Sequence, residues 1–106
     1  MIKFEMFDMF NLLFEVIEKN YGKQDILIAL SDLSEGEEKF PLGCTDFDNN
    51  IILIHYDQNP NQMMDVIAHE MSHWICGYDS DHDDRWKQTY KNIHDIYQQE
   101  FLKLKD

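Results

Sequence analysis

The stretch NPNQMMDVIAHEMSHWICG, residues 59–77, carries the strongest structural signal in this sequence. Asn59 followed by Pro60 is typical of a helix start, and Gly77 is typical of a helix end. The apolar residues between them recur at helical spacing and cover one side: Met63, Met64, Ile67, Met71, Trp74 and Ile75. The sequence therefore predicts an amphipathic helix that begins at Pro60, ends before Gly77 and packs one face on a core.

The other flank of this helix carries the motif H-E-x-x-H, formed by His69, Glu70 and His73. Residues four apart on a helix project from one face, roughly 6 Å apart along its axis. Both imidazoles can therefore bind one metal ion, and Glu70 stands beside them, where it can reach a water without being a ligand. The apolar face does not account for these histidines, so the motif predicts a zinc site with its own general base.

A catalytic zinc usually has three protein ligands and keeps one position for water. We expect His82 to be the third ligand, because eight residues separate it from His73 and the helix end near Gly77 lets the chain turn back. His82, Trp86 and Tyr90 are spaced by four. A last helix that begins at or just before His82 would point its imidazole toward the first two ligands.

Three other side chains compete with His82 for this position. Cys76 lies three residues after His73, on the metal-facing flank of the same helix. His94 and Asp95 stand further along the chain, at a separation known for the third ligand of other zinc peptidases. We expect these three to rank below His82.

The remaining segments predict two further helices. In the first 20 residues acidic side chains interrupt the apolar ones, so neither a signal-peptide core nor a membrane span is expected. An apolar stripe instead predicts a core helix ending before Gly22, formed by Met6, Phe10, Leu13, Ile17 and Tyr21. From Asp81 a last helix is expected, with Asp84 completing a loose capping box. Its stripe consists of Trp86, Tyr90, Ile93, Tyr97, Phe101 and Leu104.

Short apolar runs between the first two helices predict a small sheet. Residues 25–31 and 49–57 are typical of strands, and residues 40–46 supply a third. Residues 46–50, DFDNN, form a turn that would join the last two strands as a hairpin. The predicted fold class is α+β, in one domain covering residues 1–106: an N-terminal helix, a three-stranded sheet, the H-E-x-x-H helix and a long C-terminal helix.

Composition limits the partners that such a domain can bind. The chain has 21 acidic and 9 basic residues, a net charge of -12 at pH 7. This charge repels phosphate backbones and anionic lipid, so nucleic acid and membrane are disfavoured partners. Two cysteines do not make a disulfide framework, which favours a reducing, cytoplasmic location. The oligomeric state is not specified by these features.

Residues 42–86, LGCTDFDNNIILIHYDQNPNQMMDVIAHEMSHWICGYDSDHDDRW, resemble the SprT-like (Spartan-like) zinc metallopeptidases. The shared pattern is a small-residue and cysteine stretch, a strand with IILIH, H-E-M-x-H, and H-x-x-x-W after a variable loop. The resemblance implies a minimal zincin domain, as in phage or mobile-element proteins, with Zn²⁺ on His69, His73 and His82, and Glu70 as base. Members that act on DNA-bound proteins use basic regions, which this chain lacks, so a DNA-related substrate is not implied.

The leading hypothesis is a zinc-dependent peptidase acting on a protein or peptide substrate. The substrate is expected along an exposed edge of the strand at residues 51–55, with Tyr78, Arg85 or Tyr90 as oxyanion stabiliser.

Two alternatives belong to other functional classes. HEMSHWICGYDSDH is similar to the H-G-x-x-H-x-x-G-Y-D-H motif of YbeY-type metal-dependent endoribonucleases, but Glu70 stands at a glycine position of that motif. A non-catalytic binding or regulatory protein stabilised by zinc is the other, with Cys76 as a possible fourth ligand.

Overall fold

A computed structural model of the chain describes Ile2 and residues 8–104. The elements in chain order are α1 (Met9–Tyr21), β1 (Leu27–Ser31), β2 (Gly43–Asp46), β3 (Ile51–His55), α2 (Pro60–Cys76) and α3 (Asp84–Leu104). This order confirms the predicted α+β class, with three helices and one three-stranded sheet among the described residues.

Helix α1 follows from its cap and its apolar stripe. The Asp8 carboxylate accepts hydrogen bonds from the backbone N–H groups of Phe10, at 2.9 Å, and Asn11, at 3.4 Å. The helix ends at Gly22, which adopts a φ of +85°. Its buried residues are Leu13, Val16 and Ile17. The predicted end before Gly22 is confirmed, whereas Met6 of the predicted stripe lies outside the described residues.

The sheet has β3 at its centre, in the order β1-β3-β2. Strand β2 pairs with β3 antiparallel, with Gly43 opposite Ile54, so the predicted hairpin is confirmed. Strand β1 pairs with the other edge of β3 in parallel. The prediction that residues 51–55 offer an exposed edge is therefore wrong, because a long-range parallel partner covers the edge that the hairpin leaves open. Within the described residues, the edge strands of the sheet are β1 and β2.

Helix α2 confirms the predicted bounds. Asn59 accepts a hydrogen bond from the Gln62 backbone N–H at 2.8 Å, Pro60 is the first helical residue, and Gly77 ends the helix. Its predicted apolar face joins strand β3 and the other helices in one buried core, made of Leu13, Ile17, Ile52, Ile54, Met64, Ile67, Ala68, Met71 and Ile93. Met63, Trp74 and Ile75 are partly buried against this core. The core fixes the rotation of α2 about its axis and hence the direction of its polar flank.

Helix α3 begins at Asp84, so the predicted start at Asp81 and the capping box of Asp81 with Asp84 are wrong. The cap is Asp83, whose carboxylate accepts hydrogen bonds from the Trp86 backbone N–H at 2.9 Å and the Ser80 hydroxyl at 2.6 Å. Four aspartates within residues 79–84 make the capping position ambiguous in the sequence. The Ser80 contact, which depends on the folded loop, selects Asp83.

Helix α3 is 21 residues long, a length that could cross a bilayer, but charged side chains such as Lys91 and Asp95 occur along it. Within residues 8–104 no helix combines the length and the apolar character that crossing a membrane requires.

Replacing Asp83 tests the cap. The Ser80 and Trp86 hydrogen bonds lower the pKa of Asp83 below its ordinary value of 3.8. Because the folded-state pKa is lower than the unfolded one, the stabilisation is present above 3.8 and is lost as pH falls through the folded pKa. We expect Asp83→Ala to lower Tm at neutral pH, and the difference from wild type to shrink in acid. Thermal unfolding followed by circular dichroism measures both effects.

The matched control is Asp83→Asn, because asparagine also caps helices but does not titrate. At neutral pH the Tm of Asp83→Asn should be close to that of the wild type. An Asp83→Ala protein as stable as the wild type would contradict the assigned cap.

Candidate metal centre

Three imidazoles converge beside α2: His69 and His73 from the helix, and His82 from the loop before α3. The Nε2 atom of His82 lies 3.0 Å from Nε2 of His73 and 3.3 Å from Nε2 of His69. Tetrahedral coordination at Zn–N distances of roughly 2.0–2.1 Å separates ligand nitrogens by about 3.3 Å. Imidazole is also a donor that suits zinc. The structure thus brings together the three residues that the sequence singled out, in a geometry that fits one zinc ion.

His82 reaches this cluster through its backbone conformation and not through a helix. Its φ of +53° lies in the left-handed region, where histidine is more common than most residues. Hydrogen bonds of Ser80 hold the loop, since its N–H donates to the Gly77 carbonyl at 3.1 Å and its hydroxyl to Asp83. The helical spacing that led from His82 to Trp86 and Tyr90 is therefore not what orients the imidazole.

The surroundings of His69 favour the neutral imidazole, which is the form that binds a metal. Burial lowers the pKa of His69, positive charge on His73 and His82 lowers it further, and the carboxylates of Glu70 and Asp65 oppose this. Nδ1 of His73 lies 3.4 Å from the Ser80 carbonyl oxygen. Donation of an Nδ1–H to that carbonyl leaves the Nε2 lone pair free on the side of His82.

Trp86 forms the floor of the cluster. Its ring centroid lies 4.2 Å from that of His82, 4.8 Å from His69 and 5.3 Å from His73, and the residue is buried. Tyr90 stacks on Trp86, with centroids 5.3 Å apart, and its ring centroid lies 6.1 Å from that of His69. The sequence predicted both aromatic residues as part of a core stripe. In the fold their rings also pack against the imidazole rings.

Glu70 lies on a different side of α2, against β2. The residue is 8% exposed, and its Oε2 atom accepts a hydrogen bond from the Thr45 hydroxyl at 2.7 Å. It is not a member of the histidine cluster. This placement fits a carboxylate that acts beside a metal and does not bind it.

Gly43 allows α2 to approach β2 at this point. A Cβ atom added there would lie 2.7 Å from Cγ1 of Val66 and 3.0 Å from Cγ of Glu70. Val66 is β-branched and cannot easily rotate away within a helix. Neither Gly43 nor Thr45 was identified from the sequence. The available signal was a glycine within a strand, which indicates a close approach of another element.

The rival ligands lie elsewhere in the described structure. The Cys76 thiol is buried 3.3 Å from the Thr89 hydroxyl oxygen. His94 and Asp95 are neighbours on the outer part of α3, with Nδ1 and Oδ1 3.5 Å apart and both side chains about half exposed. None of the three belongs to the histidine cluster.

Two of the three expected oxyanion stabilisers are occupied by other contacts. Arg85 donates to the Cys76 carbonyl and so satisfies the end of α2. The Tyr90 hydroxyl donates to Asp65, and burial together with this carboxylate raises the pKa of Tyr90 to about 12. Tyr78 is 82% exposed and contacts Phe47 edge-on, with centroids 6.2 Å apart.

Comparison with known proteins agrees at the level of the fold. The chain is similar to the crystal structure of the metallopeptidase zymogen of Pyrococcus abyssi abylysin, with a TM-score of 0.61 and 14% sequence identity. The match covers 92% of this chain and 96% of abylysin. No family model and no curated protein sequence matches the chain. The chain therefore shares its overall fold with that protein.

Replacing Gly43 tests the close approach of α2 and β2. We expect Gly43→Ala to reduce the free energy of unfolding by about 1–3 kcal/mol, because the new methyl group overlaps Val66 and Glu70. In the Val66→Ala background the same change should cost less, since Cγ1 of Val66 is absent. Urea unfolding of the two single variants and the double variant measures this difference. Equal losses in the two backgrounds would show that Val66 is not the neighbour that excludes a side chain.

Proposed function

We propose that this chain is a zinc-dependent peptidase. The observation that carries the proposal is the convergence of three imidazoles, whose ligand nitrogens lie within 4.8 Å of one another, beside a buried glutamate that is not part of the cluster. His69, His73 and His82 would hold the ion. Zinc bound by three protein ligands supplies an activated water and polarises the scissile carbonyl.

Glu70 is the general base in this proposal. Its carboxylate accepts a proton from the attacking water and passes that proton to the leaving amine as the peptide C–N bond breaks. A positioned acid–base group of this kind typically contributes about 100- to 10,000-fold to the rate.

The free edge of β2 is where we place the substrate. An extended peptide can add to an unpaired strand edge through main-chain hydrogen bonds, and β2 is the edge strand that contacts Glu70. The resemblance of residues 42–86 to SprT-like peptidases supports a peptide substrate. The net charge of -12 argues against a substrate held through nucleic acid.

The donor count favours a catalytic zinc over a structural one. Structural zinc sites have four protein ligands, and the cluster found among the described residues has three. Cys76, the fourth ligand considered from the sequence, is hydrogen-bonded to Thr89 instead. One coordination position is thus left for water.

Glu70→Gln tests the proposed base. We expect the variant to keep stoichiometric zinc, because Glu70 is outside the ligand cluster, and to lose about 100-fold or more of the wild-type rate. The measurements are elemental analysis and hydrolysis of a quenched fluorescent casein by zinc-loaded protein. Undiminished hydrolysis would remove Glu70 from the mechanism, and zinc-dependent cleavage of RNA without cleavage of casein would favour the endoribonuclease alternative.

His82→Asn tests the third ligand without straining the loop. Asparagine tolerates the left-handed backbone of His82 but offers no imidazole. We expect Tm without metal to be close to that of the wild type and zinc affinity to fall by at least tenfold. Competition with a chelating dye measures the affinity, and His94→Asn is the matched control because His94 lies outside the cluster. Tight, stoichiometric zinc in His82→Asn would mean that another residue completes the site.

A further inference from the structure

Thr45 makes the most specific contact to the Glu70 side chain in the described structure. Its hydroxyl oxygen lies 2.7 Å from Oε2 of Glu70 and 3.2 Å from the Glu70 backbone oxygen. A threonine hydroxyl has one proton to donate. The shorter contact involves a charged acceptor, and such hydrogen bonds are roughly twice as strong as neutral ones. The proton is therefore directed mainly to the carboxylate.

The same strand confines the other half of the carboxylate. A Cβ atom on Gly43 would lie 3.4 Å from Oε1 of Glu70, so this oxygen lies beside the backbone of β2 at Gly43. Glu70 is 8% exposed, and Gly43 and Thr45, two residues apart on β2, both face it. A long side chain with three rotatable bonds is thereby held in one arrangement.

We infer that Thr45 is a positioning residue for the peptidase reaction: its hydroxyl binds one oxygen of the Glu70 carboxylate and leaves Oε1 to take up the proton. The inference rests on the proposed function, because it assigns Glu70 the role of base. Binding one oxygen to a strand fixes the distance between base and reacting water. A displacement of about 1 Å in such a group can cost 100-fold in rate.

Strand β2 then serves both reacting partners. Its free edge is the proposed site of the peptide, and its Thr45 side chain holds the base. Because one short strand makes both contacts, the packing of β2 against α2 sets the distance between the peptide and the base.

The test compares Thr45→Val, which removes the hydroxyl at nearly constant volume, with Thr45→Ser, which retains it. With quenched fluorescent casein and zinc-loaded protein, we expect Thr45→Val to lower kcat by about 10- to 100-fold with little change in KM or zinc affinity. Thr45→Ser should stay within about threefold of the wild type. Thr89→Val is the matched control, because it removes the hydroxyl of another poorly exposed threonine, which lies in α3 and is bonded to the Arg85 carbonyl and the Cys76 thiol.

A second measurement does not depend on hydrolysis. Thr45→Val should lower Tm by several degrees in the wild-type background and by much less in a Glu70→Ala background, because the hydrogen bond is already absent there. Equal Tm losses in the two backgrounds would show that the two side chains are not coupled and would overturn the inference.

The kinetic outcomes separate this inference from the proposed function. A wild-type protein that hydrolyses casein with zinc, together with an unchanged kcat in Thr45→Val, overturns the positioning role alone. A wild-type protein that binds zinc and hydrolyses neither casein nor denatured protein overturns the proposed function, and the role of Thr45 in catalysis falls with it. If Thr89→Val lost as much activity as Thr45→Val, general destabilisation would explain the loss in Thr45→Val, and the inference would also be overturned.

Discussion

The rotation of α2 about its own axis is the constraint on which the rest of the structure depends. Ile67 and Met71 are held in the buried core, and this fixes the direction in which every other residue of the helix points. His69 and His73 then face the loop before α3, while Glu70 faces β2. The packed core face thus sets the directions of both the metal ligands and the proposed base.

The two partners of α2 are held by different kinds of interaction. On the β2 side a glycine permits close contact and a hydroxyl binds the buried carboxylate. On the α3 side a short loop is fixed by Ser80 and Asp83, and the Trp86 ring supports the imidazoles. The carboxylates of Glu70 and Asp83 are thus hydrogen-bonded by neighbouring hydroxyl groups. His82 is the exposed member of the cluster, so the side of the site that it forms is open to solvent.

The net charge of the chain acts over longer distances than these contacts. A net charge of -12 affects which partners approach, and the distances within the site do not depend on it. Local packing, in contrast, decides which side chains come within bonding distance of one another. The likeness to the abylysin zymogen at 14% identity shows that this arrangement of helices and strands can be kept by very different side chains.

The sequence by itself determined the elements with local signals. The Asn59, Pro60 and Gly77 positions fixed both ends of α2, and the spacing of His69 and His73 placed two imidazoles on one face, because capping and helical periodicity are properties of neighbouring residues. The turn at residues 46–50 likewise indicated the hairpin of β2 with β3.

Only the tertiary structure decided what depends on distant residues. The parallel pairing of β1 with β3 closed the edge expected to be exposed, the left-handed backbone of His82 replaced the expected helical geometry, and Asp83 took the cap expected of Asp81. The contact of Thr45 with Glu70 joins residues 25 positions apart. No local pattern encodes such a meeting, because it arises only when the sheet and α2 pack against each other.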